Sequence, residues 1–194
     1  MAIQLAPGDA LMIIDLQNDF LEGGSLEVPG SNALIPVFNR YIVRFQQSRL
    51  PVIATRDWHP SDHCSFVQQG GPWPPHCIAG SAGAAFHADL ALPADTHVIS
   101  KAITREADAY SGFSGTGLQD LLQSLHIQRI FVGGIATEYC VHETVNDALQ
   151  LGYSVTVLQD ATQAINRKPH DGIKAIDDMI AHGATLTQFQ ELAA

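Results

Sequence analysis

Charge is scarce in this chain and basic charge scarcest: of 194 residues only 10 are Lys or Arg, against 20 Asp or Glu, for a formal net charge of -10. A surface of that sign repels a phosphate backbone and an anionic membrane face, so nucleic acid and lipid headgroups are poor partners. Cysteine is nearly absent. Cys64, Cys77 and Cys140 form an odd set with no framework spacing, which argues against a disulfide scaffold and for a reducing compartment. No apolar run is long enough to span a bilayer, and no basic stretch precedes the first apolar segment, so the expectation is a soluble, cytoplasmic protein with no membrane partner. Repeats and low-complexity tracts are missing as well. The glycines build no phosphate-cradling loop between the first strand and its helix, which leaves a dinucleotide or flavin binder without its signature.

What the chain does have is a large apolar share, 46% of residues, enough for one full core and for a single domain over 1–194. Short continuous apolar runs at 10–14, 51–54, 97–99, 129–132 and 154–158 read as strands buried on both faces. Helical patterns at 33–50, 117–126, 138–151 and 169–182 lie between and after them, with 184–187 as a final strand and Gly152 and Gly183 as helix ends. Alternation of this kind predicts an open, doubly wound, mostly parallel α/β sheet with helices on both faces, a Rossmann-like three-layer architecture. The connection at 58–86 is long and rich in Gly, Pro and His, and loops of that length are usually functional. Nothing in the sequence sets the oligomeric state, so a homo-oligomer stays open.

Ligands of such sheets bind beyond the carboxyl ends of the strands. There the chain places Asp15 after the first strand, Asp57 and His59 after the second, Lys101 after the third and Cys140 after the fourth. A lone cysteine is ordinarily a small buried hydrophobe, an acid after a strand is ordinarily a cap, and a lysine is ordinarily solvated. Their shared address favours chemistry. With a helix starting near Thr137 or Glu138 and Thr137 as its N-cap, Cys140 falls among first-turn N–H groups that favour an anion, and Lys101 nearby would depress the thiol pKa further. The same N–H groups, around Ala136 and Cys140, could hold an oxyanion, and Asp15 could take the thiol proton and return it to a leaving amine.

The long loop supplies a second cluster. Residues two apart on an extended segment point to the same side, so Asp57 and His59 can reach one ion, with His76 closing the site and His63 as a fourth ligand or a supporting partner. Carboxylate and imidazole donors suit one divalent ion, zinc ahead of iron or manganese, and three protein ligands leave room for substrate. Cys64 and Cys77 complete no zinc motif and read as structural; the remaining histidines receive no role.

Taken in order, DLQNDF (15–20), TRDWH (55–59), WPPH (73–76), Lys101, YSGF (110–113) and GIATEYC (134–140) resemble the nicotinamidase branch of the isochorismatase-like cysteine hydrolases. The likeness runs from near residue 10 to near residue 160. It implies a catalytic triad of Asp15, Lys101 and Cys140, an oxyanion hole at Ala136 and Cys140, and metal ligands Asp57, His59 and His76, with His63 a ligand in only some members. Phe20, Trp73 and Tyr110 would line a ring pocket with Tyr139 nearby, and the peptide between Ile135 and Ala136 would be cis. The implied substrate is nicotinamide or a related pyridine carboxamide. Two other readings remain: an amide or carbamoyl hydrolase sharing the triad but not the ring-to-metal contact, and a non-catalytic metal- or ligand-binding α/β domain in which Cys140 is filler.

Overall fold

The protein is described by a computed structural model over residues 3–193. Six strands form one parallel sheet: β1 (Asp9–Ile14), β2 (Val52–Asp57), β3 (His97–Lys101), β4 (Arg129–Ile135), β5 (Ser154–Gln163) and β6 (Thr185–Thr187), in the order β3-β2-β1-β4-β5-β6. The order reverses at β1, the doubly wound pattern that the alternating runs predict. Every residue of β1 is buried, which is why its sequence, after Asp9, is an unbroken apolar run rather than an alternating one.

Among the described residues four helices cover the sheet: α1 (Leu34–Gln47), α2 (Leu118–Ser124), α3 (His142–Gln150) and α4 (Asp171–Ala181). On one face, α1 buries Leu34, Phe38, Tyr41, Ile42 and Phe45 against Leu11, Ile13 and Phe131, a stripe at helical spacing. On the other, Leu122 of α2, Val145 of α3 and Met179 of α4 pack with Ala10, Met12, Ile14 and Val132. Successive β1 residues therefore feed opposite cores. Gly152 and Gly183 follow α3 and α4 with φ of 89° and 109°, the left-handed geometry that ends a helix at least cost in glycine. Among the described residues no helix is long and apolar enough to cross a membrane.

Polar residues stand at or just past the carboxyl ends of β1, β2 and β3, and they supply candidate site side chains. Asp57 and Lys101 are the last residues of β2 and β3, and they are register partners. Asp15 follows β1 at φ 51°. The 58–96 connection has little regular structure, yet bridges pairing His59 with Ile78, Phe66 with Trp73 and Gln17 with Phe86 fix its course.

Near its end β4 shifts register against β5, between Val132 and Gly134. Gly134 has φ 133°, and a Cβ there would sit 2.1 Å from the Ile14 carbonyl oxygen and 2.7 Å from the Ile14 nitrogen. Backbone on both sides cannot give way as a flexible side chain could. Gly134→Ala is therefore expected to lower the unfolding free energy by about 3 kcal/mol, read as a reduced urea midpoint at constant m-value. A loss under about 1 kcal/mol would mean that β4 and β1 have room to part.

Candidate active site

Four segments meet at the carboxyl edge of the sheet. Lys101, 1% exposed, holds them together: its Nζ lies 2.5 Å from Asp57 Oδ1, 3.0 Å from Asp15 Oδ2, 3.3 Å from Cys140 Sγ and 3.1 Å from the Ala109 carbonyl oxygen. An ammonium has three protons. Asp57, Ala109 and Cys140 receive them as hydrogen bonds, while Asp15 Oδ2 has the charge nearby but no well-directed donor. Thr55 on β2 donates to the other oxygen, Asp15 Oδ1, at 2.6 Å, so the carboxylate is fixed at one oxygen and free to accept at the other. Asp15, Asp57 and Cys140 each offer an atom within 4.8 Å of the others.

The segment carrying Cys140 differs from the sequence expectation. Thr137 is not an N-cap; its Oγ1 pairs with Thr162 Oγ1 at 2.8 Å, and Ala136 stands at the cap position with no side-chain bond. Thr137–Val141 is a π-helical turn, Val141 N–H reaching back to the Ala136 carbonyl, and α3 begins only at His142. Such turns recur at functional sites because the extra residue per turn re-aims side chains. The Ile135–Ala136 peptide is cis.

The expected depressed thiol pKa is also overturned. Burial raises the Cys140 thiol well above its ordinary range; Lys101 opposes this, while Asp15 and Asp57 add to it. Burial likewise raises Asp15 against the pull of Lys101 and the Thr55 bond. Desolvation acts first to lower the Lys101 ammonium, but the two carboxylates and the sulfur outweigh it and hold the proton firmly. Burial thus favours the neutral thiol at Cys140, and a fixed positive charge stands next to both the sulfur and the Asp15 carboxyl.

On the far side of Asp57 lies a donor set suited to a metal. Asp57, His59 and His76 are all buried, and each imidazole Nε2 stands 3.9 Å from Asp57 Oδ2. His59 Nδ1 bonds the His76 carbonyl at 2.9 Å and His76 Nδ1 bonds the Pro74 carbonyl at 2.8 Å. A carbonyl can only accept, so both rings carry their proton on Nδ1 and present an Nε2 lone pair towards Asp57. Burial moves the His59 pKa down to about 3, which keeps that imidazole neutral. Two imidazoles and a carboxylate of this kind fit a divalent ion. His63 is placed outside this trio. Its Nε2 faces the Ala107 carbonyl at 3.2 Å and its Nδ1 the Ser65 hydroxyl at 2.7 Å, while its ring lies 4.3 Å from that of His59.

Between the two groups is a cavity with about 420 Å³ of empty space, its open mouth included. Phe20, Trp73, Tyr110 and Tyr139 line it, along with Cys140, Asp57 and His76. Trp73 Nε1 donates to Tyr110 Oη at 3.0 Å, and the Trp73 and Tyr139 rings meet edge to face at 5.2 Å. Sequence reasoning did not reach Leu26 and Ile165, two further wall residues from remote segments. It also missed the supports. Gln17 accepts the Asp57 N–H and donates to the Asp57 carbonyl, both at 2.7 Å, clamping the tip of β2. Asp19 takes the Cys77 N–H at 2.7 Å, beside His76. Polar residues at 17 and 19, two and four places past the strand-end acid Asp15, were the available signal.

Residues 9–191 match the family model described as the isochorismatase domain. The chain is 40% identical over 201 residues to a nicotinamidase of Escherichia coli, covering 93% of this chain and 94% of that protein. A pyrazinamidase of Pyrococcus horikoshii, solved in complex with zinc, superposes with a TM-score of 0.91 at 44% identity, covering 94% of this chain and all (100%) of that one. A protein from L. infantum, PnC1, solved in complex with nicotinate, gives 0.90 at 39% identity with 100% of both chains covered.

Proposed function

This chain belongs to the isochorismatase family, and we propose that within it the chain is a metal-dependent nicotinamidase, hydrolysing nicotinamide to nicotinate and ammonia. The observation that carries the reading is one cavity lined by Cys140 together with Asp57 and His76, where Lys101 joins Cys140 to Asp15 and Asp57 groups with His76 and His59. The kinship with nicotinamidases and a pyrazinamidase supports the substrate class. Cavity residues drawn from Phe20 to Ile165 support one catalytic domain, and the free thiols of Cys64, Cys77 and Cys140 support a cytoplasmic setting.

In this reading the ring sits between Phe20 and Trp73 and presents its carboxamide carbon to Cys140. Asp57, His59 and His76 would hold a divalent ion, zinc being favoured, which supplies when bound a Lewis-acid anchor for the ring nitrogen. His63 buttresses His59. Asp15 Oδ2 accepts the thiol proton as sulfur bonds to the carboxamide carbon, and the oxyanion so formed rests on the N–H groups of Ala136 and Cys140. Asp15 returns the proton to nitrogen, the C–N bond breaks and ammonia leaves a thioester. Water then gives a proton to Asp15 and its oxygen attacks the same carbon. The C–S bond breaks, nicotinate forms and sulfur regains its proton. Lys101 stays charged throughout and stabilises each negative charge that passes between carboxylate and sulfur.

An ammonia assay on nicotinamide before and after chelation tests the core of this. Activity that survives complete metal removal would favour an amide hydrolase without the ring-to-metal contact. Asp57→Ala is expected to weaken metal retention by at least about tenfold, measured by elemental analysis after dialysis, and to raise KM in step. Retention equal to the parent's would exclude Asp57 as a ligand.

The acid limb of kcat/KM should follow Asp15. A base works only when ionised, and burial raises this carboxyl above the usual 3.8, so activity present at neutral pH is lost as pH falls through a value higher than that. Steady-state assays across the acid range check it; a limb at or below 3.8 would contradict the assignment.

A further inference from the structure

Glu138 lies in the nucleophile's own turn but bonds elsewhere. Its carboxylate accepts the backbone N–H groups of Ile165, at 3.2 Å, and Asn166, at 2.6 Å. Both belong to the segment that leaves β5 for α4. Within that segment Ile165 is a wall of the ring cavity, and the Arg167 guanidinium stands over the Trp73 indole at 5.0 Å from the ring centroid. Asn166, at φ 53°, accepts the Gly172 N–H at 3.0 Å and so ties the segment to the start of α4. One arch of chain thereby touches the apolar wall of the pocket, the aromatic wall and, through a carboxylate, the turn that holds the sulfur.

We infer that Glu138 is a positioning residue that sets the width of the ring pocket, with the Arg167–Trp73 pair closing the same side, so that the site selects monocyclic pyridine carboxamides over those with a second fused ring. The inference rests on the pyridine-carboxamide reading and goes beyond it. Neither residue reaches the reacting atoms. A carboxylate that takes two amide hydrogen bonds fixes a loop more firmly than a neutral acceptor could, and a guanidinium over indole adds an attraction that a lysine or alanine would not reproduce. With either released, Ile165 and Trp73 can separate and admit a wider ligand.

The test compares nicotinamide with quinoline-3-carboxamide, which keeps the same nitrogen-to-carboxamide relation and adds a fused ring. Glu138→Ala is expected to raise KM for nicotinamide about tenfold and to raise the bicyclic-to-monocyclic ratio of kcat/KM by a similar factor, with kcat held within about threefold. Glu138→Gln, keeping one acceptor oxygen, should fall between parent and alanine. Arg167 is exposed, so Arg167→Ala should fold normally and shift both KM and the ratio about threefold. A ratio unmoved in Arg167→Ala and in either Glu138 variant overturns the inference, as does a loss confined to kcat, which would mean that Glu138 only braces the sulfur. Should Glu138→Ala fail to fold, Glu138→Gln and Arg167→Ala decide. Parent protein that releases no ammonia from nicotinamide would be seen before any variant is made, and would remove the functional reading and this inference together.

Discussion

Alanine in place of Cys140 is expected to cut ammonia release from nicotinamide by at least about 10^4-fold while leaving ring binding within about threefold of the parent. Among the described residues, no second thiol and no serine or threonine lines the cavity. Asp15 is fully buried and Thr55 occupies its other oxygen, so it can activate a group already in the cavity but cannot itself reach across the ring. The walls that would hold the pyridine, Phe20, Trp73 and Tyr110, do not depend on the sulfur. Calorimetric titration of the variant with nicotinamide measures the binding half, and a coupled ammonia assay the chemical half. The parent, quenched in acid during turnover, should carry a nicotinoyl group on the peptide containing Cys140. Turnover by the alanine variant within tenfold of the parent would replace the covalent route with direct attack by water.

That the sulfur starts as a thiol is the point at which sequence and structure part. A helix start, a threonine ahead of it and a lysine elsewhere all argue for a depressed pKa, and each of those elements is present in some form. What the sequence does not carry is depth. Cys140 is 6% exposed and Lys101 1%, and the ammonium is shared with Asp57, whose part in the sulfur's electrostatics arises only because β2 and β3 place residues 57 and 101 side by side. Burial together with two carboxylates outweighs one cation. The π-helical turn was equally out of reach: i to i+5 bonding needs the same residue types as an α-helical start, and Thr137 makes a plausible cap until Thr162 is seen beside it.

The sheet, by contrast, was legible because strands buried on both faces are apolar along most of their length, and β1 is so from Ala10 to Ile14. Strand tips were not, since residues 55–57 and 100–101 are polar for the sake of the site rather than the core. The donor trio could be named from an Asp and a His two residues apart plus a nearby WPPH, but which ring nitrogens it presents depends on carbonyls at 74 and 76 that periodicity does not reveal. His63, read as a ligand or a support, has its ring nitrogens at hydrogen-bond distance from the Ala107 carbonyl and the Ser65 hydroxyl, and it also shares a second donor group with His59 and Asp108. Leu26 and Ile165 come from segments with no motif, so the width of the ring pocket was hidden until the segment following β5 was placed.

Removing the charge of Lys101 should have the largest effect on stability. Lys101→Met keeps most of the buried stem and deletes the ammonium, leaving Asp15 and Asp57 within 4.8 Å of each other with no cation between them. Breaking a buried ionic set by removing one partner costs about 3–5 kcal/mol, because the remaining charges stay desolvated. The pH dependence follows from the sign of the shifts. Burial already raises Asp15, and Lys101 is the first cause opposing that rise, so its loss raises the folded-state pKa further above the unfolded value. A carboxyl raised on folding binds its proton more tightly in the folded state, and stability falls as pH climbs from the unfolded pKa through the folded one. The deficit of the variant should therefore be small near pH 4 and grow as pH climbs. Urea denaturation of both proteins in chelator, where no bound cation can stand in for the ammonium, measures the difference. A deficit that stays constant with pH would assign the loss to packing of the lysine stem, and Lys101 would then be a spacer between the two halves of the site rather than the charge that lets two buried carboxylates and a sulfur occupy one pocket.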